Sequence, residues 1–261
     1  MATLIRSAKS GSNWILNDLE SYHIILDQVS PLLFFNLQEL PQPLVDKELL
    51  INIDADSMQE DCHTELVTLL DLAMISDKGE TAVNDFTITL FQTLGYTVVR
   101  TQVDLPLLIC GKERHVKTNI CIVNHSQNDI IFLIQEDKKW SLREPINMRA
   151  QLVAEAIAAF NENNVNRETI GLPPLAEKIS HSIIPGIVMP STSPILFQIP
   201  VTQTLLTHIC HRAYSPDNTE SGPMKHQLLL WYNTDQKRWA QWETGLREEE
   251  MSQAHKSTQL K

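Results

Sequence analysis

Ile130-Ile131-Phe132-Leu133-Ile134-Gln135-Glu136-Asp137-Lys138 is an apolar run that breaks abruptly into acidic and basic groups. The run is too short for a helix, and the turn-like group Asn124-His125-Ser126-Gln127-Asn128-Asp129 precedes it, so it reads as a buried strand. Such a strand delivers its charged end to the rim of a sheet. Side chains alternate between faces, so Glu136 and Lys138 share one side and Asp137 takes the other.

Upstream, Thr97 to Thr101, Leu107 to Cys110 and His115 to Val123 are short segments rich in apolar and β-branched residues, and they read as further strands. The Asn124 to Asp129 connection makes the last of them an antiparallel neighbour of the Ile130 strand, with Asn119 across from about Ile134 or Gln135 and close to Glu136. Before the strands, Thr64 to Ile75 and Thr81 to Leu94 show helical spacing, and Gly95 signals the end of the second helix. After them, Pro145 opens an alanine-rich helix to about Asn163. Strands at Ser182 to Met189 and Ile195 to Val201, a helix near Gln203 to Arg212 and a last strand at Gln227 to Tyr232 follow.

Trp14 to Leu19 and Tyr22 to Val29 read as short helices, and residues 1 to 13 as a loose tail. The expected division is an N-terminal tail and helical layer over 1–78, a core over 79–243 and a charged, flexible tail over 244–261. The fold class is α/β, a mixed sheet flanked by helices.

The chain has 261 residues, 43% of them hydrophobic, enough for a substantial core. Its net charge of −11 argues against a protein that coats nucleic acid or an anionic membrane through overall charge. No apolar run approaches the roughly 18 residues needed to cross a bilayer, and Met1 to Asn13 lacks the apolar middle of a secretory signal. An intracellular setting, cytoplasmic or nuclear, is expected, with Cys62, Cys110, Cys121 and Cys210 as free thiols. Lys112-Glu113-Arg114-His115 and Lys138-Lys139, with Arg143, Arg149 and Arg167, are the basic groups available to a local nucleic-acid cleft.

On the helix before the strands the apolar stripe is Val83, Phe86, Leu90, Phe91 and Leu94. Glu80 falls within roughly 60° of it at about 100° per residue, whereas Asp85 lies about opposite. A helix carboxylate, an oxygen ligand on one strand and Glu-x-Lys on the next resemble the active site of the restriction-endonuclease-like superfamily, whose pattern is written PD-(D/E)xK. Over most of its length the chain also resembles a group of uncharacterised fungal proteins of this fold. The segments are Trp14 to Leu19, Leu40-Pro41-Gln42-Pro43, Glu80 to Phe86, Leu94-Gly95-Tyr96, Pro106 to Gly111, Gln135 to Lys138 and Gln151 to Phe160.

The resemblance implies a restriction-endonuclease-like sheet and hydrolysis of nucleic-acid phosphodiesters with Mg²⁺ or Mn²⁺. It gives Glu136 and Asn119 as metal ligands, Lys138 as the group that positions and activates water, Glu80 as a further acid, and Gln151 as the helix glutamine often found in this superfamily. The chain departs from the pattern at Asn119, where the family has Asp. An amide oxygen ligates a hard cation without bringing charge. At about 4 Å and an effective dielectric of about 20, one lost charge is worth roughly 4 kcal/mol per unit of metal charge before desolvation. Metal affinity should be much reduced, which leaves a weakened nuclease or a catalytically inactive binding or scaffold module.

Other readings are blander. Charged residues where a strand leaves a sheet are common because that backbone meets water. An acid like Glu80 in a first helical turn often only meets the helix dipole. His208, Cys210 and His211 with Cys62 and His63 lack the paired spacing of a zinc site, so packing is preferred. Trp231, Tyr232, Trp239 and Trp242 among Lys225, Lys237 and Arg238 suit base stacking or a terminal cap equally well. There is no Gly-x-Ser-x-Gly signature and no phosphate-cradling glycine loop.

Overall fold

The computed structural model describes residues 8–39, 41, 45–52, 54–75, 79–137, 146–175, 182–190, 192, 194–211 and 226–232, without the side chains of 79, 80, 136, 137, 146 and 226–232. By contacts the chain divides into Met1–Trp231 and Tyr232–Lys261, and all but the last described residue belongs to the first unit.

In chain order the elements are α1 Leu16–Ser21, β1 Ile24–Gln28, α2 Pro31–Phe35, α3 Lys47–Ile51, α4 Asp61–Met74, α5 Gly79–Thr93, β2 Val99–Thr101, β3 Asp104–Ile109, β4 Lys112–Lys117 and β5 Ile120–Asn124. They continue with β6 Asp129–Asp137, α6 Ile146–Thr169, β7 Ser182–Pro190, β8 Ile195–Val201, α7 Gln203–His211 and β9 His226–Tyr232. The fold is α/β: a seven-stranded mixed sheet in the order β1-β9-β8-β7-β6-β5-β2, with β3 and β4 as a separate two-stranded ribbon. β6 is antiparallel to β5 and parallel to β7.

The two faces of β5 and β6 follow from alternation. Ile120, Ile122 and Ile134 join Ile187 and Met189 in one core with Leu66, Ala73, Ala82, Val83, Phe86 and Phe91, so this face lies under α4 and α5. The opposite face, with Cys121 opposite Leu133, meets α6. α6 is covered on its far side by β3, β4, α1 and the 3₁₀ turn Gly11–Asn13. Residues 152 to 160 are all buried for that reason, although an ordinary surface helix would bury only one stripe.

Three expectations need correction. The segment around Tyr22 to Val29 is not helical: Ile24–Gln28 forms β1, paired parallel with β9, because its apolar residues gain a sheet neighbour distant in sequence. His115 to Val123 is not one strand. Lys117 ends β4, and after Thr118 and a bend at Asn119 the chain enters β5 in the other sheet. The first 13 residues are not all a loose tail. Gly11 is buried so tightly that an added Cβ would lie 2.4 Å from Val116 Cγ2, and Lys9 and Ala8 also engage the body, at Asp18 and Arg114. The helices at 61–74, 79–93 and 203–211 and the strands from β6 onward fall where the apolar periodicity predicts them.

Candidate functional site

The Ile120↔Ile134 pairing, carried one step further, sets Asn119 across from Gln135, as the hairpin geometry predicts. Asn119 sits in the bend that opens β5, half-buried, and its carbonyl accepts from the Gln102 N–H at 2.9 Å. No described residue is hydrogen-bonded to its side-chain amide. Glu136 is the eighth residue of β6, paired with Met189, at the strand's C-terminal end.

α5 runs back toward that same end. Phe91 meets Phe132 with ring centroids 5.5 Å apart, and the chain leaving α5 joins β5 where the Val123 N–H donates to the Val98 carbonyl. From Phe91 back to Gly79 the helix extends about 18 Å at 1.5 Å per residue, whereas Phe132 to Glu136 spans only about 13 Å of strand. Glu80, in the first turn, therefore lies toward the end of the sheet that carries Glu136. Lys138, Lys139 and Arg143 lie outside the described residues, as do Trp239 and Trp242.

Gln151 belongs to the other face. Its Oε1 accepts from Gln135 Nε2 at 3.3 Å, and its own Nε2 donates to the Ser12 carbonyl at 2.7 Å. It links the residue before Glu136 to the N-terminal segment.

Several groups proposed for a basic surface have other partners. Arg167 lies at 2.8 Å from Asp129 and also donates to the Pro173 carbonyl, so it is a structural cation. Arg114 donates to the Ala8 carbonyl, and His115 lies 3.3 Å from Asp104 on an exposed stretch of ribbon. Asp129, in its ion pair, is not a replacement for an acid at position 119. His63 is paired with Glu48, and among the described residues no three His, Cys, Asp or Glu side chains are grouped as metal ligands. The four cysteines are free thiols.

One polar group escaped the reading of the sequence. Glu155 is 2% exposed, and burial pushes its carboxyl well above the ordinary carboxylate range. Its signal was present: it is the one charge within Leu152-Val153-Ala154-Glu155-Ala156-Ile157-Ala158-Ala159-Phe160. Burial likewise pushes the Cys121 thiol up, with Glu155 adding a smaller contribution in the same direction.

No protein-family model matches the chain, and no curated protein matches it. No helix among the described residues is long and apolar enough to cross a membrane.

Proposed function

We propose that the chain is a PD-(D/E)xK nuclease-like protein with weakened metal-dependent phosphodiesterase chemistry. The observation that carries the reading is the placement of Glu80 and Glu136, on a helix and a strand far apart in sequence, toward one end of the sheet, with Asn119 next to that end. The donor set suits a hard divalent cation, since it offers carboxylate and amide oxygens. A bound Mg²⁺ or Mn²⁺ supplies charge stabilisation of the scissile phosphate.

In this reading Glu136 would hold the metal from β6, Asn119 would share it from the bend that opens β5 rather than as a same-face strand neighbour, and Glu80 would add negative charge beside them. Lys138 holds the attacking water and takes part in its deprotonation. Gln151 steadies the strand end through Gln135. The net charge of −11 confines nucleic acid to a local cleft and makes its binding steeply salt-dependent.

The test is incubation of the purified chain with labelled single- and double-stranded DNA and RNA in Mg²⁺ or Mn²⁺. Cleavage should be weak and lost in Glu136→Ala and Lys138→Ala. Undiminished cleavage in both variants rejects this site.

Asn119 favours a second reading, a catalytically inactive module that keeps the fold for binding or scaffolding. It predicts no Mn²⁺ heat signal for the parent in calorimetry and a signal for Asn119→Asp. Tight Mn²⁺ binding by the parent rejects it.

A further inference from the structure

α6 carries polar residues four apart at Gln151, Glu155, Asn163 and Arg167, with Ala159 completing the series. Such spacing keeps a stripe on nearly one side of a helix, drifting slowly as the helix follows a twisted sheet. Three members of this stripe meet β6 or its edge. Gln151 bonds Gln135, Asn163 bonds Ile130 and Arg167 bonds Asp129. Glu155 lies in the same row, but its Oε2 is buried without a partner.

We propose that Glu155, buried without a partner between α6 and the sheet, is held as a neutral carboxylic acid, and that its ionisation loosens the first half of α6 from β5 and β6. Among the described residues, no cation is hydrogen-bonded or ion-paired to the Glu155 carboxyl. β7 and β8, which pack under α6, contain no ionisable residue. β5 presents the Cys121 thiol, with Arg100 of β2 acting on that thiol. From α1, Asp18 is committed to Lys9 at 3.1 Å, and Glu20 is exposed. On the ribbon, Asp104 of β3 and Lys112, Glu113, Arg114, His115 and Lys117 of β4 are exposed. On β6, Asp129 is paired with Arg167 at the far end, and Glu136 and Asp137 lie beyond Gln135. On α6 itself, Arg149 is half-buried and Arg167 is taken by Asp129. Burial is what pushes the Glu155 carboxyl up.

The sign is definite. A carboxyl whose folded value is raised stabilises the fold fully below its unfolded value of about 4.5, and that stabilisation is lost as pH rises toward the folded value. Gln151 lies one turn before Glu155, so release of this turn also strains the links from Gln135 through Gln151 to the Ser12 carbonyl.

The experiment follows the Glu155 carboxyl carbon by NMR in the unaltered protein across the pH range, alongside urea unfolding and amide exchange of the unaltered protein and of Glu155→Gln. The carboxyl should titrate above the ordinary carboxylate range. The folding equilibrium of the unaltered protein should fall relative to Glu155→Gln by up to about tenfold per pH unit above 4.5. Amides over residues 150–157 should lose protection with pH faster than those near Asn163, and only in the unaltered protein. A carboxyl that titrates in the ordinary range overturns the proposal whether or not the variant folds. Parallel pH curves for the two proteins also overturn it.

Discussion

Asn163 grips the backbone of Ile130 with both ends of its amide: Oδ1 accepts the Ile130 N–H at 2.7 Å, and Nδ2 donates to the Ile130 carbonyl at 2.8 Å. Among the described residues β7 pairs with β6 only from Leu133 onward, so the start of β6 lacks a paired strand on that side. The asparagine, 1% exposed, takes the place of the missing strand.

Replacing it should therefore cost more than a surface amide would. Asn163→Ala leaves a buried N–H and a buried carbonyl unpaired, for a loss of about 2 to 5 kcal/mol. Asn163→Asp keeps the size but sets an acceptor against the Ile130 carbonyl, and it should be no better. Urea unfolding of both variants against an exposed control, Gln92→Ala, measures the difference.

A second close fit lies at Gly186 on β7. A Cβ there would stand 2.9 Å from Leu152 Cδ2 and 3.1 Å from Leu152 Cδ1, so α6 lies almost on the strand backbone. Gly186→Ala should destabilise the fold by about 1 to 3 kcal/mol through overpacking. Adding Leu152→Ala should cost less in the Gly186→Ala background than alone, because the first change fills part of the space that the second opens. A double-mutant cycle by chemical unfolding reads this coupling, and strict additivity would remove the steric explanation.

These contacts explain what the sequence could disclose. The strands from β6 to β8 and the helices α4, α5 and α7 stand out because their apolar residues repeat with one period, and the turn at Asn124 to Asp129 fixes the β5–β6 register. β1 does not stand out, because Ile24-Ile25-Leu26 becomes a strand only through pairing with β9, about 200 residues away. The break at Thr118 and Asn119 is hidden for a related reason: β4 and β5 are both strand-like, and only the separate ribbon divides them. At the candidate site, the register of Asn119 was readable from spacing. The bond from Gln151 to Ser12 was not, since it depends on where the N-terminal segment docks.

The ion pair at the hairpin end has its own signature. Arg167 and Asp129 are 2.8 Å apart with little side-chain exposure, and Arg167 also holds the Pro173 carbonyl. Arg167→Ala leaves Asp129 as an uncompensated buried charge and should cost about 3 to 5 kcal/mol. Arg167→Ala with Asp129→Asn should recover a good part of that loss. Failure of the second change to recover stability would mean that the arginine acts mainly through Pro173.

Acid should open a different joint. Glu48 on α3 holds His63 of α4 and accepts the Gln59 N–H, and these two contacts, the histidine first, keep its carboxyl below the usual 4.5. A lowered carboxyl contributes stability above its unfolded value and loses it as pH falls through the folded one. The clasp between α3 and α4 should therefore hold at neutral pH and release below about 4.5, when Glu48 becomes neutral and no longer serves as a charged acceptor for His63 and the Gln59 N–H. Exchange of the Gln59 amide, corrected for its intrinsic pH dependence, should quicken over that acid range. Glu48→Gln should already show the quickened exchange at neutral pH and no further acid step. An acid step that persists in Glu48→Gln would transfer the effect to another group, and the neighbouring Asp46, whose side chain accepts the Glu48 N–H at 2.8 Å, is the one to replace next.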